Sequence, residues 1–117
     1  MQEERVENKT LEIAAWLDGK KGQDIVAMDV SGHTSLCDVV ILVTALSARH
    51  AQAMAEDLGL YFRQHGWPVL GVEGMALGEW VLLDGGDVVV HVFVDEVRQR
   101  YNLEGMYAQA PRLWPRP

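Results

Sequence analysis

Two β-forming runs, Trp80–Leu83 and Val88–Val94, flank the tetrapeptide Asp84-Gly85-Gly86-Asp87, and this constrains the fold more than any other feature of the sequence. Runs of Val, Leu and aromatic residues around a Gly-Gly pair specify a β-hairpin, because glycine supplies the positive φ that tight hairpin turns need. With Gly85 and Gly86 as the turn residues, Leu83 faces Val88, Leu82 faces Val89, Val81 faces Val90 and Trp80 faces His91. Side chains alternate between the two faces of a strand. One face then carries Val81, Leu83, Val88, Val90 and Val92, a core surface. The other carries Trp80, Leu82, Asp84, Asp87, Val89 and His91. An aromatic, aliphatics and terminal carboxylates together suit a protein-binding patch with a polar rim. They also suit a Trp80 lying beneath a helix with His91 hydrogen-bonded in the core, since Trp is highly buried on average.

The rest of the chain supplies partners for this hairpin. Val6, Thr10, Ile13, Ala14 and Leu17 fall on one helical face, predicting a helix over 4–19 that Gly19 and Gly22 punctuate. Ile25–Val30 is a short apolar strand, followed by a polar turn at Ser31-Gly32-His33. Val39–Val43 is an unbroken β-branched and aliphatic run, as a central strand covered on both sides requires. Ser47 reads as the N-cap of a helix reaching about His65, with Ala51, Met54, Ala55, Leu58 and Phe62 on its apolar face and Gly66 as its stop. Gly59 sits inside that helix without evident reason. Val69–Glu73 is a strand, 74–78 a loop, and Glu96–Leu103 a last helix. The element order αββαβββα predicts a single α/β domain, a mixed sheet of about five strands flanked by helices, over residues 1–107. Residues 108–117 hold three of the four prolines and read as a loose tail.

Charge restricts the partners. Seventeen carboxylates against 10 Lys and Arg give a formal charge of −7, so the general field of the chain opposes bare nucleic acid and anionic membrane. From Gln64 to Val97 there is no Lys or Arg, while Glu73, Glu79, Asp84, Asp87, Asp95 and Glu96 all fall there. That stretch is either an ordinary solvated surface or a docking surface for a cationic protein, whose encounter opposite potentials would speed. No apolar run approaches the ~20 residues of a membrane span. Glutamates at 3, 4, 7 and 12 do not fit a signal or transit peptide, and the single Cys37 allows no internal disulfide; a cytoplasmic setting is the expectation.

Chemistry-bearing constellations are sparse. Asp84, Asp87 and His91 invite a metal reading, but the hairpin register separates His91 from the two aspartates, and Asp commonly bonds turn amides instead. Cys37 and the four histidines have no ligand spacing such as CxxC or HExxH. Gly71, Gly74 and Gly78 form no dinucleotide fingerprint. The Ser47-Ala48-Arg49-His50 helix start could hold an anion, although plain capping accounts for it. No catalytic residue, metal or cofactor is assigned.

Six segments, in order and spacing, resemble one family: Gly22-Gln23-Asp24-Ile25, Asp29-Val30, Ser35 to Ile41, Ser47-Ala48-Arg49-His50, Gly71-Val72-Glu73-Gly74, and Trp80 through His91. It is the ribosomal silencing factor family, known as RsfS, Iojap or YbeB, and the resemblance runs from about residue 5 to 107. It implies a nucleotidyltransferase-like fold without transferase activity. It implies binding to the large ribosomal subunit through ribosomal protein L-fourteen, steric obstruction of small-subunit joining, repressed translation, and a homodimer when free. On this pattern Trp80 is the apolar anchor beside Leu82. Glu73, Asp84 and Asp87 give acidic complementarity, and His91 orients the face. Two other readings remain: a nucleotidyl-transfer enzyme that uses Asp84 and Asp87 for magnesium, and a self-associating structural module.

Overall fold

The structure, a computed structural model, describes residues 2–115. Its centre is β2 (Val39–Ala45), in which every residue is buried, as the unbroken apolar run requires. Around it the chain builds a six-stranded sheet in the order β3-β4-β5-β2-β1-β6, from β1 (Gln23–Asp29), β3 (Gly71–Glu73), β4 (Trp80–Asp84), β5 (Val88–Val94) and β6 (Arg112–Trp114). Only β2 and β5 run parallel; the other neighbours are antiparallel.

Two helices cover one face. α1 (Gln2–Gly19) buries Thr10, Ile13, Ala14 and Leu17, and α2 (Ala48–Gln64) buries Ala51, Met54, Ala55, Leu58, Gly59 and Phe62. These pack on Ile41, Val43, Val81, Leu83, Val90 and Val92 to form the larger core. The chain leaves α1 through Gly22, where a Cβ would stand 2.6 Å from Val43 Cγ2; only glycine lets the helix end sit that close to the central strand. Ser47 caps α2 as expected, its hydroxyl accepting the His50 amide at 3.0 Å. The irregular Gly59 has no such justification. A Cβ there would meet Arg63 Nη1 at 3.7 Å and Leu83 Cδ1 at 4.0 Å, ordinary contacts. Gly59→Ala should therefore stabilise the protein by about 0.5–1 kcal/mol, read as a raised urea midpoint, because alanine loses less backbone freedom on helix formation.

The opposite face is covered over only part of its width. α3 (Asp95–Tyr101) and the single turn α4 (Leu103–Met106) close over Val26, Met28, Val30, Val40, Leu42 and Phe93, forming a second, smaller core. Arg98 pins this layer down. It is 4% exposed; its Nη1 donates to the Asp24 carbonyl at 2.7 Å and the Thr44 hydroxyl at 2.9 Å, and its Nε to Glu104 Oε1 at 2.9 Å. The Asp24 carbonyl is free because β1 bulges there, with Asp24 at φ +48°.

Three expectations need correction. The Pro-rich segment taken for a loose tail instead contributes β6, pairing Ala27 with Trp114 and Met28 with Arg112, so the sheet has six strands rather than five. Pro111 and Pro115 only bracket the strand, and prolines are compatible with a sheet edge; residues 116–117 lie outside the described residues. The third strand is shorter than expected, beginning at Gly71 rather than Val69. The hairpin register also differs: Asp84 faces Val89, Leu83 faces Val90, Leu82 faces His91, Val81 faces Val92 and Trp80 faces Phe93. The Gly85 amide bonds the Val88 carbonyl at 2.9 Å, and Gly86, at φ +85°, turns the chain together with Asp87. A turn moved by one residue slides the pairing by two, which preserves which side chains share a face.

Candidate docking face

The faces assigned to the hairpin therefore survive the register change. Val81, Leu83, Val88, Val90 and Val92 are all 0% exposed, beneath the helices. On the other side, pairing aligns Glu73, Leu82, His91 and Leu42 in one row across four strands. The adjacent rows hold Gly71, Asp84, Val89 and Val40 on one side, and Trp80, Phe93 and Thr44 on the other. The second helical layer covers the Leu42 end. Toward β3 and β4 it stops, leaving Glu73 exposed and Trp80, Leu82, Asp84 and Val89 partly exposed.

Trp80 stands at the border. Its ring lies 4.7 Å from that of Tyr101 at the end of α3 and 5.9 Å from that of Phe93. It is neither sealed under a helix nor free. Its indole Nε1 donates to His91 Nδ1 at 3.0 Å, so the imidazole is held as an acceptor and its proton resides on Nε2. His91, 9% exposed, thus sits diagonally beside Trp80 rather than opposite it, and fixes the edge of the indole.

Burial lowers the His91 pKa to about 4 from its ordinary 6.5. The folded protein resists protonation there while the unfolded chain does not, so stability is retained above the unfolded value and falls as pH drops from 6.5 toward 4. Between pH 7 and pH 5 urea unfolding should show a loss of about 2 kcal/mol from this group. The increment should disappear in His91→Leu.

The two aspartates are not a pair. Asp84 Oδ1 accepts the Gly86 amide at 2.9 Å and holds the turn. Asp87 Oδ1 is bound by Lys9 Nζ at 2.9 Å, a lysine that also lies 5.1 Å over the Trp67 ring. The Asp87 carboxylate is drawn toward α1, away from Trp80 and Leu82, which removes it from the face where it was expected. Among the described residues no three His, Cys, Asp or Glu side chains are grouped to hold a metal ion. Burial, then Asp38 and Asp84, push the Cys37 thiol up, opposite to what a nucleophile needs. Among the described residues, no helix is long and apolar enough to cross a membrane.

Sequence reasoning missed Arg98, Tyr101 and Lys9. The partners of Arg98 and Lys9 are 54 to 78 positions distant, Glu104 excepted, and no local pattern marks them. Tyr101 was only a residue of the last helix until the fold placed its ring against Trp80.

The fold and face together define a mixed α/β domain whose half-covered sheet face bears an indole, aliphatics and a carboxylate. The comparisons with known proteins make it specific: this chain belongs to the family described as "Ribosomal silencing factor during starvation", whose profile matches residues 3–116. The family is one of non-catalytic, ribosome-silencing factors. Ribosomal silencing factor RsfS of Chromobacterium violaceum is 41% identical over 91 residues, covering 78% of this chain and 75% of that protein. RsfS of Haemophilus influenzae is 38% identical over 92 residues, covering 79% and 90%. A crystal structure of a Chromobacterium violaceum protein superposes with a TM-score of 0.81 at 36% identity, covering 92% of this chain and 88% of that one.

Proposed function

We propose that this chain represses translation in the cytoplasm by docking on the large ribosomal subunit through ribosomal protein L-fourteen, on the side that meets the small subunit, so that the subunits cannot join. The observation that carries the reading is the uncovered sheet quarter, where Trp80 and Leu82 lie beside Glu73 and His91. Apolar and aromatic side chains give such a surface its contact area, and a carboxylate at its rim selects a basic protein over ribosomal RNA, whose phosphates repel a chain of charge −7. Asp84 and Asp87 act chiefly within the hairpin and on Lys9, leaving Glu73 as the acidic rim. No chemistry is required, because an obstruction of this kind acts by occupancy.

The test uses purified subunits. Adding the chain should move it into the large-subunit fraction of a sucrose gradient and reduce the joined ribosomes formed when small subunits follow. Glu73→Lys, on an exposed edge strand, should weaken this by several-fold without changing stability, since rim charges act on encounter more than on the fold. A chain that never co-sediments with large subunits, or that does so while joining proceeds normally, refutes the proposal.

A further inference from the structure

Tyr101 ends α3 with 53% of its surface exposed. Phe93, Trp80 and Tyr101 form a continuous row of rings from the smaller core to solvent, with centroids 5.9 Å and 4.7 Å apart. At the inner end the row already holds a guanidinium: Arg98 lies 5.8 Å over the Phe93 ring. At the outer end, among the described residues, no cation of this chain lies over Trp80 or Tyr101. Arg98 is committed to Asp24, Thr44 and Glu104, and Arg100 is paired with Glu96 at 3.1 Å. Glu73 is exposed on the same sheet face, paired with Leu82 two residues along from Trp80, and the exposed Glu79 and Asp95 adjoin the hairpin strands in sequence, Asp95 Oδ1 accepting from Gln99 Nε2 at 3.3 Å. Because the indole N–H is taken by His91, what Trp80 offers a partner is its ring surface.

We infer that Trp80 and Tyr101 together form a seat for an arginine side chain of the basic partner. The inference rests on the docking reading above and specifies what that surface grips. A guanidinium suits the seat better than an ammonium. It is planar, weakly hydrated, able to stack on aromatic faces, and presents N–H donors at its edge to nearby carboxylates. The acidic neighbours raise the local concentration of cations, and the rings discriminate among them. Tyr101 is thus a contact residue in its own right, and its ring also limits how far the Trp80 indole can swing.

Two experiments test this. In titrated co-sedimentation with large subunits, Tyr101→Leu should weaken binding by about tenfold, whereas Tyr101→Phe, which keeps the ring, should stay within about twofold of the parent. Urea unfolding of both variants should match the parent, separating contact from packing. Without ribosomes, short oligo-arginine and oligo-lysine peptides of equal length should be compared by NMR. Oligo-arginine should shift the Trp80 indole and Tyr101 ring signals at concentrations where oligo-lysine does not. Equal shifts from the two peptides, or undiminished subunit binding by Tyr101→Leu, overturn the inference while the docking proposal stands. A protein that takes oligo-arginine at these rings yet ignores large subunits overturns the docking proposal and upholds the seat.

Discussion

Replacing Trp80 with alanine should lower affinity for large ribosomal subunits by tenfold or more. Tryptophans at the centre of interfaces commonly cost about 2 kcal/mol or more when truncated, and about 1.4 kcal/mol is already a factor of ten. The indole here has the features of such an anchor. It is partly exposed, set against the Tyr101 ring at a 45° tilt, and locked at its edge by His91. Truncation also removes packing and leaves the His91 Nδ1 acceptor without its donor, so the fold should lose about 1–2 kcal/mol. That is well within the stability of an ordinary domain, about 5–15 kcal/mol. Co-sedimentation and urea unfolding on the same samples separate the two effects. Wild-type affinity in a folded Trp80→Ala protein would place the docking face elsewhere. Should the alanine variant fail to fold, Trp80→Phe keeps a ring in place and leaves the question answerable.

Arg98→Ala should cost about 3 kcal/mol, among the largest losses available to a single substitution in this chain. Its guanidinium satisfies the bulge carbonyl of Asp24, the buried Thr44 hydroxyl and the Glu104 carboxylate at once. Deletion strands all three, although Glu104, with its side chain 31% exposed, can recover some hydration. Arg98→Lys should rescue little, because one ammonium cannot reproduce the planar fork. The urea midpoint measures the loss. Subunit affinity should fall as well, since Arg98 ties down the helix that presents Tyr101 to Trp80. A variant as stable as the parent would show that the second helical layer is held by apolar packing alone.

The parts of the fold legible in sequence are those fixed by short-range rules. The unbroken Val39–Val43 run announces a strand covered on both faces, and the 3.6-residue spacing from Ala51 to Phe62, between Ser47 and Gly66, delimits α2. The hairpin was legible in its faces but not in its register, because two adjacent glycines offered the turn and only the fold decides that Gly86 takes the positive φ. The final strand was hidden by its flanking prolines, which look like a tail until an open edge of β1 is available to receive it. Within the candidate docking face, Trp80, Leu82, His91 and Glu73 come together because sheet rows follow from alternation and pairing. Asp87 was misplaced because Lys9, which claims its carboxylate, comes from the far end of the sequence. Arg98 and Tyr101 were invisible for the same reason: their importance lies in neighbours that only tertiary structure supplies. The enzyme reading of Asp84 and Asp87 loses its basis once their carboxylates are seen to serve a turn amide and a lysine separately.

In β4 the odd-numbered Val81 and Leu83 are wholly enclosed, while the even-numbered Trp80, Leu82 and Asp84 border the open face. Under the proposed docking, one five-residue word thus carries two messages on alternate letters: the even-numbered side chains answer to the partner and the odd-numbered ones only to the interior. Substitutions at the first set would retune what the chain binds without renegotiating how it folds.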